Sequence, residues 1–194
     1  MPAKCGWCGE WFLDPDPRLI EGRRWVRVLC DACWCFQTCD PAATEDERND
    51  WFVLSTWMVT PDRDLLLLDV FREHAETTKH EQILRAQWEL HHPANQGVEK
   101  AAFGLNIIQA CLKAGLPIKP LPAEGDKVAR ARTVAARYET GTVYHRLGAP
   151  WLGDWEDELV DFPSGAHDDQ VDCASYAGIE LVHSSQYGVG FGIS

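Results

Sequence analysis

WCFQTCDPAATEDERNDWFVLSTWMVTPDRDLLLLDVF (34–71) is the stretch on which the architecture turns. Three apolar runs stand out in it: WCFQTCD (34–40), WFVLSTWMV (51–59) and DLLLLDVF (64–71). They are rich in the aromatic and branched residues that fit a pleated surface, and each is bounded by turn-forming Asp, Asn or Pro. The connections are short, so the spacing predicts an antiparallel meander. The first run ends in Asp40 followed by Pro41. Proline offers no N–H to a central ladder, so the chain must leave the sheet there and the Asp40 carboxylate falls at the rim.

Further on, the period changes. Residues 76–90 carry Ile83, Leu84 and Trp88 at helical spacing behind a Thr- and Lys-rich entry, which predicts a helix. GVEK (97–100) reads as a fourth, buried strand. An amphipathic helix follows Phe103 and ends near Gly115, and PIKPL (117–121) is a short strand. DKVARARTVAARYETG (126–141) predicts a helix with Gly141 as its stop. TVYH (142–145) is a small strand, and APWLGDWEDELVDF (149–162) and HDDQVDCASYAGIELV (167–182) are the last helices. Alternating strands and helices imply a layered α/β domain. Their order is that of the ribonuclease H-like fold, with a mixed five-stranded sheet flanked by helices. Residues 1–33 form a compositionally distinct Cys-rich segment, and 34–194 form the main domain.

Of the 194 residues, 45% are hydrophobic and 25% charged, enough for one domain with a real core. The longest apolar run near the middle, Leu65 to Leu68, is far too short to span a bilayer, and Met1 to Gly9 lacks the basic and apolar regions of an export signal. A cytoplasmic location is therefore expected. In a reducing compartment, eight cysteines read as metal ligands or buried thiols rather than disulfides. A net charge of -12 disfavours broad contact with phosphates, so affinity for nucleic acid would rest on local basic patches or a partner.

The acidic residues hold the chemistry. Glu99 ends the fourth strand as Asp40 ends the first, and in this fold those strands are parallel neighbours. Asp168 and Asp169 fall at the first turn of the last helix, where the helix dipole favours negative charge. A cluster of Asp40, Glu99, Asp168 and Asp169 would repel itself unless divalent cations occupied it, and oxygen-only donors suit Mg²⁺ or Mn²⁺. Two such ions can activate water for phosphodiester hydrolysis. Taken singly, these acids read equally as turn and helix caps.

FPSGAHDDQVDCASYA (162–177) resembles the signature closing the nuclease domain of phage terminase large subunits. TCDPAAT (38–44), NDWFVLSTW (49–57), LLLLDVFR (65–72), VEKAAFG (98–104), EGDKVARA (124–131), GTVYH (141–145) and APWLGDWEDELVDFP (149–163) continue that likeness in the same order. The resemblance spans about residues 34 to 183. It implies that Asp40, Glu99 and Asp169 bind the catalytic metals with Asp168 as an added ligand, either Asp of the pair being the primary one. It implies that His167 and Asp172 adjust or support the site. The implied reaction is cutting of double-stranded, concatemeric phage DNA during packaging in the infected host's cytoplasm. No GxxxxGK followed by Ser or Thr is present, so the packaging ATPase is expected on a separate chain, with a small terminase subunit and a portal as further partners.

CGWC (5–8) and CDAC (30–33) place two CxxC pairs 21 residues apart. Cys5, Cys8, Cys30 and Cys33 would close a tetrahedral structural Zn²⁺ site, the alternative being buried free thiols. Cys35 and Cys39 alternate along the first strand and are expected inside. Lys127, Arg130, Arg132 and Arg137 line one helix and are expected to contact the DNA backbone. Arg23, Arg24 and Arg27 around Trp25 read as phosphate contacts or as a solvated strand face. His91 and His92 are expected to cap helix carbonyls, and the tryptophans to pack. The competing functions are a resolvase-like nuclease of the same fold and a non-catalytic docking module of a packaging machine.

Overall fold

The computed structural model describes residues 34–41, 51–60, 62–100, 104–123 and 125–184, with the backbone of four short strands nearer the start. Those four are β1 (Ala3–Lys4), β2 (Trp11–Phe12), β3 (Arg18–Gly22) and β4 (Trp25–Leu29), paired antiparallel as β1 with β2 and β3 with β4. Cys5, Cys8, Cys30 and Cys33 lie outside the described residues, as do Arg23 and Arg24.

The main sheet is built from β5 (Trp34–Pro41), β6 (Phe52–Val59), β7 (Leu65–Glu73), β8 (Gln96–Glu99), β9 (Ile118–Leu121) and β10 (Val143–His145). Its order is β10-β7-β6-β5-β8-β9. The meander β5-β6-β7 is antiparallel, whereas β8, β9 and β10 each run parallel to the strand they join. The expected five strands become six because TVYH (142–145) pairs with Leu65–Leu67 and closes that edge. Five helices connect and cover the strands: α1 (His80–His91), α2 (Gly104–Lys113), α3 (Lys127–Glu139), α4 (Leu152–Asp161) and α5 (Asp169–Ser184).

Alternation along the strands divides the core in two. Phe36, Val53, Trp57, Leu65 and Leu67 pack beneath α3, α4 and α5, where Val134, Trp155, Cys173, Ala177 and Leu181 meet them. Cys39, Phe52, Leu54 and Val98 point the other way, onto Leu84 of α1 and Ile107, Ile108 and Cys111 of α2. With both faces covered, β6 is buried along its whole length, which accounts for its uninterrupted apolar sequence. Trp57 and Trp155 meet edge to face at 5.8 Å, as expected of packing residues. Cys35 and Cys39 are buried, as expected.

The polar residues of the central strands satisfy one another. Gln37 Nε2 donates to Thr56 Oγ1 at 2.9 Å, Gln96 Nε2 donates to Gln37 Oε1 at 2.8 Å, and the Thr38 and Ser55 hydroxyls lie 2.8 Å apart. Such partners remove most of the cost of burying amides and hydroxyls between two layers of helices. Of the two histidines at the end of α1, one departs from expectation. His92 takes the left-handed conformation and its backbone N–H closes the helix on Trp88 O, but the His91 ring leaves the helix end for Asp69 Oδ2 at 3.2 Å. A half-buried carboxylate is a stronger partner than a helix carbonyl.

Candidate metal centre at the sheet rim

Strand register sets the first two acids side by side. Cys39 is paired with Val98 in the parallel β5–β8 ladder, so the next residues, Asp40 and Glu99, lie side by side where that ladder ends. Pro41 ends β5 there. Beyond β8 the chain returns so closely that a Cβ on Gly104 would lie 2.2 Å from the Glu99 carbonyl oxygen. Only glycine lets α2 begin against that backbone.

The third acid comes from α5. One carboxylate oxygen from each of Asp40, Glu99 and Asp172 lies within 4.8 Å of the others, and all three residues are buried. Several contacts seat α5 so that Asp172 reaches the strands. Thr38 Oγ1 donates to Cys173 O at 2.8 Å. The buried Glu158 of α4 accepts from the Gln170 backbone N–H at 2.6 Å and from Gln170 Nε2 at 2.7 Å, which satisfies an otherwise orphaned donor at the helix start. Gly178 lets α3 approach, since a Cβ there would meet the Val134 backbone nitrogen at 3.1 Å. One turn past Asp172, the Tyr176 hydroxyl donates to Glu99 Oε1 at 2.9 Å and lies 3.0 Å from Pro122 O.

The acids disfavour one another's ionisation. Burial, followed by the charges of Glu99, Asp169 and Asp172, pushes the Asp40 carboxyl well above its ordinary range, with Lys127 opposing. Burial and then Asp172 raise Glu99, against the hydrogen bond from Tyr176 and the charges of Arg130 and Lys127. Two cations from α3 enter the cluster. Lys127 Nζ lies 2.8 Å from Asp168 Oδ2 and 2.8 Å from Asp172 Oδ2, and Arg130 Nη2 lies 2.7 Å from Asp172 Oδ1. Burial works against the charge on Lys127, but its carboxylate partners outweigh that and hold its pKa above the usual lysine value.

Asp40 and Glu99 thus come together as expected, whereas the expected Asp168 does not join them. It immediately precedes α5, and its partly exposed carboxylate turns to Lys127. Asp169 acts on Asp40 through its charge but is not one of the three grouped acids. Asp172 takes that place, for a reason the helix period supplies: residues 169, 172 and 176 recur on one face. The same period brings in Tyr176, which was not foreseen. Lys127 and Arg130 are directed into the acidic cluster rather than outward, and Arg130 is almost wholly buried. Arg132 is exposed. Arg137 donates to the Arg63 carbonyl at 3.0 Å, and His167 is exposed on a cleft with Arg72 and the acids of α4.

Three converging carboxylates supply hard oxygen donors, and with Asp168 and Asp169 nearby the negative charge exceeds what Lys127 and Arg130 neutralise. This donor set fits Mg²⁺ or Mn²⁺.

A meander extended on both edges by parallel strands, helices over both faces and acids at the adjoining ends of β5 and β8 define a ribonuclease H-like fold. The Terminase RNaseH-like domain family matches residues 37–181, and the chain belongs to that family. Among solved structures it is similar to the large terminase nuclease from thermophilic phage G20c. The form with bound zinc is 21% identical over 77% of this chain and 81% of that one, with a TM-score of 0.56. The form with bound cobalt is 19% identical over 75% and 81%, with a TM-score of 0.58. The nuclease domain of the large terminase subunit gp2 of bacterial virus Sf6, with manganese and beta-thujaplicinol, is 8% identical over 76% and 87%, with a TM-score of 0.51. At these identities the likeness is one of fold. No curated protein matches the sequence. Among the described residues, no helix is long and apolar enough to cross a membrane.

Proposed function

We propose that this nuclease-fold protein is a two-metal endonuclease that cuts double-stranded phage DNA during genome packaging in the infected host. The observation that carries the reading is the convergence of Asp40, Glu99 and Asp172 at one rim of the sheet, in a chain of the terminase family. Asp40, Glu99 and Asp172 would hold the divalent ions, with Asp169 and Asp168 as the adjacent carboxylates that complete a two-ion set. Bound there, Mg²⁺ or Mn²⁺ would lower the pKa of water and neutralise charge on phosphate oxygens.

The chain's own residues contribute position and charge. Burial of the three acids on rigid strand and helix ends fixes their oxygens in advance, which lowers the cost of ordering them when a cation binds. Lys127 and Arg130 neutralise part of the cluster, and Lys127, half exposed, is the cation best placed to meet a phosphate. Arg132 on the outer face of α3 would contact the DNA backbone beside the cut. The role implies a packaging ATPase, a small terminase subunit and a portal as partners; independently of it, the two CxxC pairs would let Cys5, Cys8, Cys30 and Cys33 hold a structural zinc.

Supercoiled plasmid incubated with the protein and Mg²⁺, Mn²⁺ or EDTA tests this reading. Cutting is expected with either ion and not in EDTA, and Asp40→Ala and Asp172→Ala should each abolish it. Asp168→Ala should retain measurable cutting. Intact plasmid at low salt with both ions would instead favour a docking module.

A further inference from the structure

The hydrogen bond between α5 and the Glu99 carboxylate has a geometry that packing alone does not require. Tyr176 is 1% exposed, and its hydroxyl donates to Glu99 Oε1 at 2.9 Å. The same hydroxyl lies 3.0 Å from the carbonyl of Pro122, just past β9. A phenol has one proton, and a carboxylate is the stronger acceptor, so the bond goes to Glu99, with the Pro122 carbonyl as the competing acceptor. The ring is held as well, with the Arg130 guanidinium carbon 5.3 Å from its centroid. Arg130 in turn grips Asp172 at 2.7 Å. Glu99 on β8 and Asp172 on α5 are therefore joined through two side chains, although they belong to different layers.

We infer that Tyr176 is a positioning residue that fixes the rotation of the Glu99 carboxylate, and so sets how tightly the acidic cluster binds a divalent cation. The inference rests on the metal-dependent reading above and assigns to it a residue outside the acids. A carboxylate free to rotate must be ordered when the cation arrives; one already engaged at Oε1 is not. Partners of this kind, behind the ligands of a metal site, commonly change affinity by about 10- to 100-fold.

The test is Mn²⁺ binding to Tyr176→Phe, which keeps the ring and deletes only the hydroxyl. Calorimetric titration of the intact protein should show affinity reduced by about tenfold. In plasmid cleavage, the half-saturating Mn²⁺ concentration should rise by the same factor while the rate at saturating Mn²⁺ changes much less. Tyr138→Phe is the control: Tyr138 is half-buried, with its hydroxyl 2.8 Å from His145 Nε2 on the far edge, and should leave Mn²⁺ affinity unchanged. The rise in melting temperature on adding Mn²⁺, read against each variant's own value in EDTA, separates binding from any general loss of stability. Wild-type affinity in Tyr176→Phe, or an equal loss in Tyr138→Phe, overturns the inference. Absence of Mn²⁺ binding by the unaltered protein overturns the metal-dependent reading itself, and this inference with it.

Discussion

Asp40 is stabilised in its neutral form, and the sign of that effect can be tested. A carboxyl whose folded pKa is raised stabilises the protein most below its unfolded value near 3.8 and loses that contribution as pH rises through the folded value. At about pH 8 the ionised, crowded side chain costs stability. Asp40→Asn should therefore melt about 2–4 °C higher than the unaltered protein in EDTA, the shift that about 1 kcal/mol produces in a domain of this size. It should also lose the rise on adding Mn²⁺; a lower melting temperature in EDTA with the Mn²⁺ response intact would contradict the arrangement. His80 has the opposite dependence. Burial depresses its pKa against the opposing hydrogen bond to Ala75 O, so its contribution is complete above about pH 6.5 and falls as the medium is acidified. His80→Phe, packed on Phe52 where the imidazole now lies 4.6 Å away, should show a smaller drop in urea midpoint between pH 7.5 and 5.5. At this scale the sequence identified Asp40 and Glu99, because Pro41 and the strand ends mark them. For the third position it offered the conspicuous pair Asp168–Asp169, whereas Asp172, which the geometry groups with Asp40 and Glu99, stands out only when the helix start, and with it the stripe of 169, 172 and 176, is known.

The elements of the site are held by close approaches and caps rather than by their own propensities. Gly104→Ala places a methyl against the Glu99 carbonyl at a distance no real Cβ adopts, so α2 or β8 must shift. A cost of about 1–3 kcal/mol in urea unfolding is expected, with cleavage reduced because Glu99 moves. Glu158→Ala leaves the Gln170 backbone N–H without its acceptor, the Gln170 side-chain amide with Asp154 O alone and Arg72 without its partner 3.5 Å away. It should cost about 1–3 kcal/mol, and circular dichroism should show the early loss of helix that comes from fraying at the start of α5. The meander and the five helices were legible in the sequence because their apolar periods are long enough to read. Strand β10 was visible as TVYH, but three residues hold too little alternation to assign them to the sheet. His91 was mistaken for a helix cap because its partner, Asp69, lies 22 residues away, beyond the reach of any local pattern.

The whole molecule has a net charge of -12, and two of the cations nearest the site are turned inward. DNA binding should accordingly be weak without metal and only mildly dependent on salt. A slope of log K against log salt no steeper than about -3 is expected from two or three phosphate contacts, measured by fluorescence anisotropy; a slope beyond about -6 would reveal a basic track elsewhere. Charge totals show the shortage of cations, but which of them are already engaged depends on tertiary partners that a sequence does not display. The contacts around α5 also bear on when the acidic cluster can assemble. Asp40 and Glu99, flanked by strands that pair with one another, are made before Asp172 and before the Gln170 amide that locks to Glu158. A growing chain therefore holds two of the three grouped acids until α5 docks, so the order in which the polypeptide is written sets when the cluster can close.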